Sequence, residues 1–94
     1  MKLAIVLGQV VATVRSAGLE HERLVLIDFV GPTGERMNTP HVAVDRLGAG
    51  NGEWVLVVQG SSARITISEH APIDMSIMGI VDEVVLESHV TYHK

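Results

Sequence analysis

Three glycines at alternate positions, Gly48, Gly50 and Gly52, interrupt a chain otherwise rich in valine, leucine and isoleucine. They open the stretch Asp45-Arg46-Leu47-Gly48-Ala49-Gly50-Asn51-Gly52-Glu53-Trp54-Val55-Leu56-Val57-Val58-Gln59-Gly60-Ser61-Ser62-Ala63-Arg64, which limits the fold more than any other part of the chain. Glycine reaches positive φ and lets a second backbone approach where a side chain would obstruct it. A connection this lean joins elements that pass close together. Residues 54–58 then form a β-branched, apolar run, the composition of a strand buried on both faces.

A glycine cluster raises the question of phosphate binding. Dinucleotide and P-loop sites need glycines that leave a strand and enter a helix, whose first amides hold the phosphate. Here they run into a strand, and no Gly-Lys-Ser/Thr follows. A sharp turn between strands, or a close contact between subunits, fits the pattern better.

The remaining chain reads as short strands. Residues 2–15 form one long apolar stretch, bent or bulged at Gly8 where a barrel turns a corner. Residues 24–30 make a second strand, and 41–45 a short third. Between them Gly31-Pro32-Thr33-Gly34 is a strong turn signal, and the loop through Pro40 reads as exposed and tolerant of change. Ser61-Ser62-Ala63-Arg64 suits a brief helical turn after Gly60. Residues 74–86 read as the last long strand, with Met75, Ile77 and Gly79 on one face and Ser76, Met78 and Ile80 on the other. Residues 90–93 form a short closing strand. The expectation is an all-β, OB-like barrel of five to six strands with at most one short helix, one domain over residues 1–94.

Composition narrows the function. Hydrophobic residues make up 47% of the 94, with a mean hydropathy of +0.32, yet there is one Trp, one Tyr and one Phe. So much aliphatic surface on a small chain points to self-association. The net charge of −4 and the scarcity of aromatics argue against nucleic acid, which needs a basic face or stacking platforms. No window approaches the roughly 18 apolar residues of a membrane-spanning helix. Cysteine is absent, which removes disulfide and thiolate chemistry and fits the cytoplasm.

No catalytic constellation emerges. His89 and His93 share a strand face but lie about 13 Å apart at strand rise, too far for one metal. Asp82 and Glu83 point to opposite faces, so they cannot work as a carboxylate pair, and one of them is expected to hydrogen-bond or pair across a subunit interface, with Arg64 or Arg15 as partner. Ser61 and Ser62 lack the strand-to-helix elbow of a nucleophile. No catalytic residue, cofactor or metal is expected.

Three strings, MKLAIVLGQVVATVR, DRLGAGNGEWVLVVQGSSAR and IDMSIMGIVDEVV, resemble the EutN/CcmL family of bacterial microcompartment vertex proteins, and the likeness covers nearly the whole chain. Among its branches the ethanolamine-utilisation and glycyl-radical types look nearest. The resemblance implies a β-barrel that assembles into a homopentamer, docks against hexameric shell proteins and closes the corners of a cytoplasmic polyhedral shell, with no enzymatic role. Candidate subunit-contact or axial residues are Gly48, Ala49, Gly50, Asn51, Gly52 and Glu53, with Ser61, Ser62 and Arg64 beyond the strand. Glu53 would form a charged ring if the glycine loop lay near a symmetry axis. A runner-up reading is an OB-like ligand- or nucleic-acid-binding module. An enzyme with a metal held between subunits is a third.

Overall fold

Aliphatic alternation builds five strands that close on themselves. The computed structural model describes residues 1–60, 63 and 72–94. Within them β1 (Lys2–Val10), β2 (Leu24–Phe29), β3 (His41–Val44), β4 (Trp54–Gln59) and β5 (Met75–Ile80) form a closed barrel in the order β1-β2-β3-β5-β4. All pairings are antiparallel except β3 with β5, which run parallel through Val44 and Ser76. Closure leaves no open barrel edge for these sticky strands to expose. The OB-like barrel expected from the strand pattern is the architecture observed. A two-stranded hairpin, β6 (Glu83–Leu86) and β7 (His89–His93), lies outside it.

Inward positions repeat every second residue, as strand geometry requires. Ala4, Val6, Val25, Ile27, Val55 and Val57 are at most 1% exposed and fill the interior. The outward faces of the same strands are aliphatic too: Leu3, Ile5, Leu26 and Leu56 are half-buried. On β4 the double-sided burial read from the sequence holds for Trp54, Val55 and Val57, with Leu56 and Val58 partly open.

Four strand readings need correction. The first strand does not reach Arg15: its last ladder partner is Leu24, opposite Val10, and among the described residues no strand lies opposite the β-branched residues beyond. They enter a loop in which Val11 and Val14 are exposed and the Arg15 guanidinium donates to the carbonyls of Ala12, Leu19 and Glu22. The bulge expected at Gly8 is present, as a register shift between Val6 and Gly8.

The strand read over 74–86 is two. After Ile80 the Val81 amide makes one more bond, to the Trp54 carbonyl at 2.9 Å, and the chain then leaves the barrel. The face assignment within it also fails. Val57 pairs with Ile77 but Leu56 with Gly79, so Met78 is an extra residue that flips everything after it. Ile80 therefore packs on the core and Gly79 faces out, against Leu56. The last strand pairs with β6 and closes nothing in the barrel.

The loop over residues 31–40 is largely exposed, as expected, and three of its residues are tied to a buried carboxylate. Asp28, wholly buried on β2, accepts hydrogen bonds from Arg36 Nε (2.9 Å), the Asn38 amide (3.0 Å) and the Thr39 amide (3.3 Å). Burial pushes the Asp28 carboxyl up, and these donors more than offset it, holding its pKa below the ordinary value.

Candidate functional site

The glycine loop is organised by the residue that precedes it. Asp45 is 2% exposed and turns its carboxylate back over the loop. One oxygen accepts from the amides of Leu47 (2.9 Å) and Gly48 (3.1 Å), the other from the amide of Ala49 (2.8 Å) and from the Arg23 guanidinium. Arg23 also donates to the Ala49 carbonyl at 3.1 Å, and its own carbonyl accepts from the Asp45 amide at 2.9 Å. An Asp bonding to amides two and three residues on is the side-chain mimic of a turn. Ala49, fully buried, is thereby pulled into the barrel core.

Glu53 organises the second half. Its Oε1 accepts from the Gly50 amide at 2.5 Å, and its Oε2 pairs with Lys94 Nζ at 2.8 Å. The Lys94 hydrogen bond, then the Gly50 amide, hold the Glu53 carboxyl below its usual range, and Lys94 is raised in return. The loop is stitched to β1 by bonds from the Gly52 amide to the Val6 carbonyl (2.8 Å) and from the Val6 amide to the Glu53 carbonyl (3.0 Å). Gly48 and Gly52 both sit at φ +84°, where a side chain is strained. Gly50 is held for space instead: a Cβ there would come within 3.1 Å of Glu53 Oε1.

This geometry disposes of phosphate binding. The amides of residues 47–50, 52 and 53 already donate within the chain, four of them to internal carboxylates. What the loop offers outward is a stiff crest of low bulk. Gly48, Asn51 and Gly52 are exposed on it, Gly50 and Glu53 half-buried, and Ala49 sealed beneath. Residues 45–53 carry no nucleophile or acid–base pair on that surface. Ser61, Ser62 and Arg64 lie outside the described residues, as does most of the helical turn expected there. Gly60 and Ala63 have 3-10 geometry.

Trp54 follows directly and anchors the hairpin. The Tyr92 ring stacks on it at 4.4 Å between centroids and 14° between planes, and the Trp54 amide donates to the Tyr92 hydroxyl at 3.2 Å. From the loop after β2, Gly34 (φ +95°) comes close to the same indole, where a Cβ would lie 3.5 Å away. Sequence reasoning passed over Asp45, Arg23, Tyr92 and Lys94. Asp at the mouth of a glycine loop was a legible turn signal; the other three depend on long-range packing.

Other expected chemistry resolves plainly. His89 and His93 lie on β7, and His93 Nδ1 is 3.6 Å from Glu83 Oε2. Within the chain the Arg15 guanidinium donates to the carbonyls of Ala12, Leu19 and Glu22, and Arg64 lies outside the described residues. Among the described residues no group of three or more His, Cys, Asp or Glu could hold a metal, and no helix is long and apolar enough to cross a membrane.

Comparison with known proteins places this architecture. A family model described as "Ethanolamine utilisation protein EutN/carboxysome" matches residues 1–82. The bacterial microcompartment shell vertex protein EutN of Escherichia coli is 50% identical over 95 aligned residues, which cover all of both chains. A solved structure titled "Ethanolamine utilization protein, EutN" superposes with a TM-score of 0.94 at 50% identity, covering 100% of this chain and 99% of that one. The GrpN pentameric microcompartment shell protein from Rhodospirillum rubrum follows at a TM-score of 0.84 and 38% identity, covering 92% of this chain and 99% of that one. With a family model over most of its length, half-identity across the whole chain and a matching barrel, the chain belongs to the EutN/CcmL family of microcompartment shell vertex proteins, a family of structural components.

Proposed function

We propose that this chain assembles into a homopentamer that caps the vertices of a cytoplasmic polyhedral shell, all of residues 1–94 acting as one vertex domain. The observation that carries this reading is half-identity across its full length to a shell vertex protein of the same fold. A sheet of six-fold tiles closes into a polyhedron only when five-fold tiles occupy its corners. In that role the protein needs a rigid wedge with two unlike flanks that fit each other around a ring. The stitched loop at Gly48, Gly50 and Gly52 supplies a low crest on which subunits can crowd, with Asn51 and Glu53 at the contact; Ala49, expected there, is sealed in the barrel core instead. Ser61, Ser62 and Arg64 stay candidate contact residues on the sequence alone. Glu53 brings its own counter-charge, Lys94, so a ring of these residues would carry paired charges. The pentamer's outer sides would dock against hexameric shell proteins. Co-expression with a hexameric shell tile tests the reading: closed polyhedra are expected with the chain and open sheets or tubes without it. Closed polyhedra in its absence would contradict it.

A further inference from the structure

Asn51 and Gly52 stand side by side on the exposed crest of the loop. Asparagine is a thermolabile residue, and a following glycine leaves it least protected. Glycine has no Cβ to shield its amide nitrogen, so that nitrogen can close on the asparagine side chain. The fold opposes this closure in two ways. Residues 50–53 form a hydrogen-bonded turn, the Glu53 amide donating to the Gly50 carbonyl at 3.1 Å. With Gly52 at φ +84° and Asn51 outside the positive-φ region, the turn is type II. A type II turn sets ψ of its second residue to about +120°, which places the Gly52 nitrogen beside the Asn51 Hα and away from Cβ. Ring closure needs that nitrogen beside Cβ, a rotation about the Cα–C bond that breaks the turn. The Gly52 N–H is also engaged with the Val6 carbonyl on β1 at 2.8 Å, which keeps its proton from base. The other asparagine, Asn38, precedes Thr39, whose branched side chain crowds the corresponding nitrogen.

We infer that Asn51 is a latent deamidation site, locked while the turn and its stitch to β1 hold and released when they open. In the opened loop the Gly52 nitrogen gives up its proton and attacks Asn51 Cγ. The N–Cγ bond forms, the Cγ–Nδ2 bond breaks, and ammonia leaves with that proton. A five-membered succinimide remains. Water then adds to one of its two carbonyls: opening at Cγ gives aspartate, and opening at the main-chain carbonyl gives iso-aspartate. Nothing is oxidised or reduced. Iso-aspartate lengthens the main chain by one carbon inside a four-residue turn, so the bond between residues 50 and 53 cannot re-form in the same geometry. Either product sets a new carboxylate two residues from Glu53, whose charge Lys94 already balances. A chain whose crest has once opened is thereby marked for good. The reaction is intramolecular and needs neither an enzyme nor a second copy, so it stands apart from the ring proposed above.

Wild-type protein is incubated in mildly alkaline buffer, folded or unfolded in guanidinium chloride. Peptide mass mapping and isoaspartyl methyltransferase labelling then read residues 38 and 51. Unfolded chains are expected to convert Asn51 well ahead of Asn38, and folded chains to convert it roughly tenfold or more slower. Failure of the unfolded chain to convert Asn51 ahead of Asn38 overturns the site. Equal rates in the folded and unfolded states overturn the lock. Sub-denaturing guanidinium should raise conversion in step with hydrogen exchange of the Gly52 amide, and conversion indifferent to that exchange also overturns the lock. Folded-state conversion is expected to be alike in dilute and concentrated samples. Protection that disappears on dilution would assign it to neighbouring copies, overturning the lock and leaving the ring standing.

Discussion

Tyr92 lies flat on Trp54, 4.4 Å between ring centres, and its hydroxyl takes the Trp54 backbone amide at 3.2 Å. Through this contact the chain's one tyrosine ties the hairpin to its one tryptophan, on the strand that leaves the glycine loop. Gly34 comes close to the same indole, so three distant parts of the sequence meet there. The hairpin's orientation is thus set by the loop and β4.

Removing that contact should release the hairpin without dissolving the barrel. Tyr92→Ala is expected to cost about 1–3 kcal/mol from lost aromatic packing and the freed amide, and to shift Trp54 emission to the red. Tyr92→Phe keeps the stack and should cost about 1 kcal/mol with little change in emission. Urea unfolding followed by Trp54 fluorescence measures both. Equal effects of the two substitutions would show that the hydroxyl alone matters.

Asp45 should matter more than its polar character suggests. In Asp45→Ala three loop amides lose their acceptor and Arg23 loses its carboxylate, keeping only the Ala49 carbonyl, with an expected cost of about 3 kcal/mol or more. Amide hydrogen exchange at residues 47–49 should rise sharply in a destabilised but folded sample. Unchanged protection there would mean that the glycines hold the loop shape by themselves.

Glycines in this chain are not equivalent. Gly52→Ala forces a side chain to φ +84° and should destabilise by about 1–2 kcal/mol. At Gly8 the φ is not positive and a Cβ would meet nothing within 4 Å, so Gly8→Ala should be neutral or stabilise by up to about 1 kcal/mol. Thermal midpoints at matched concentration compare them. A reversed order would refute the reading of the loop.

How much of this was legible beforehand depends on what each residue answers to. Alternation of Val, Ile and Leu marked where strands run, and the Gly48–Gly52 cluster marked the tight connection. Alternation cannot say where a partner strand stops, so the ends at Val10 and Ile80 were misjudged. One unpaired residue, Met78, inverted the faces after it, because period-2 patterning has no signal for a bulge between apolar neighbours. The loop over residues 31–40 looked permissive because its anchor, Asp28, sits inside an apolar strand and answers to donors eight to eleven residues away.

Acid should loosen that anchor. The Asp28 carboxyl is held below its ordinary value, so between the folded and unfolded pKa values the unfolded chain binds more protons. Its contribution is therefore complete above the ordinary aspartate value of about 3.8 and is lost as pH falls through the lower folded value. Asp28→Asn should be less stable than wild type at pH 7, with the gap closing towards pH 3. Urea midpoints across that range measure it. A gap that stays constant would assign the loss to shape and not to charge.

The central claim is that five copies close into a ring. Native mass spectrometry of the purified, untagged protein tests it most directly. The account predicts one dominant species at five times the 10.1 kDa chain mass, with five-fold symmetry in electron-microscope class averages of the same sample. A monomer, or a ring of six, would contradict it.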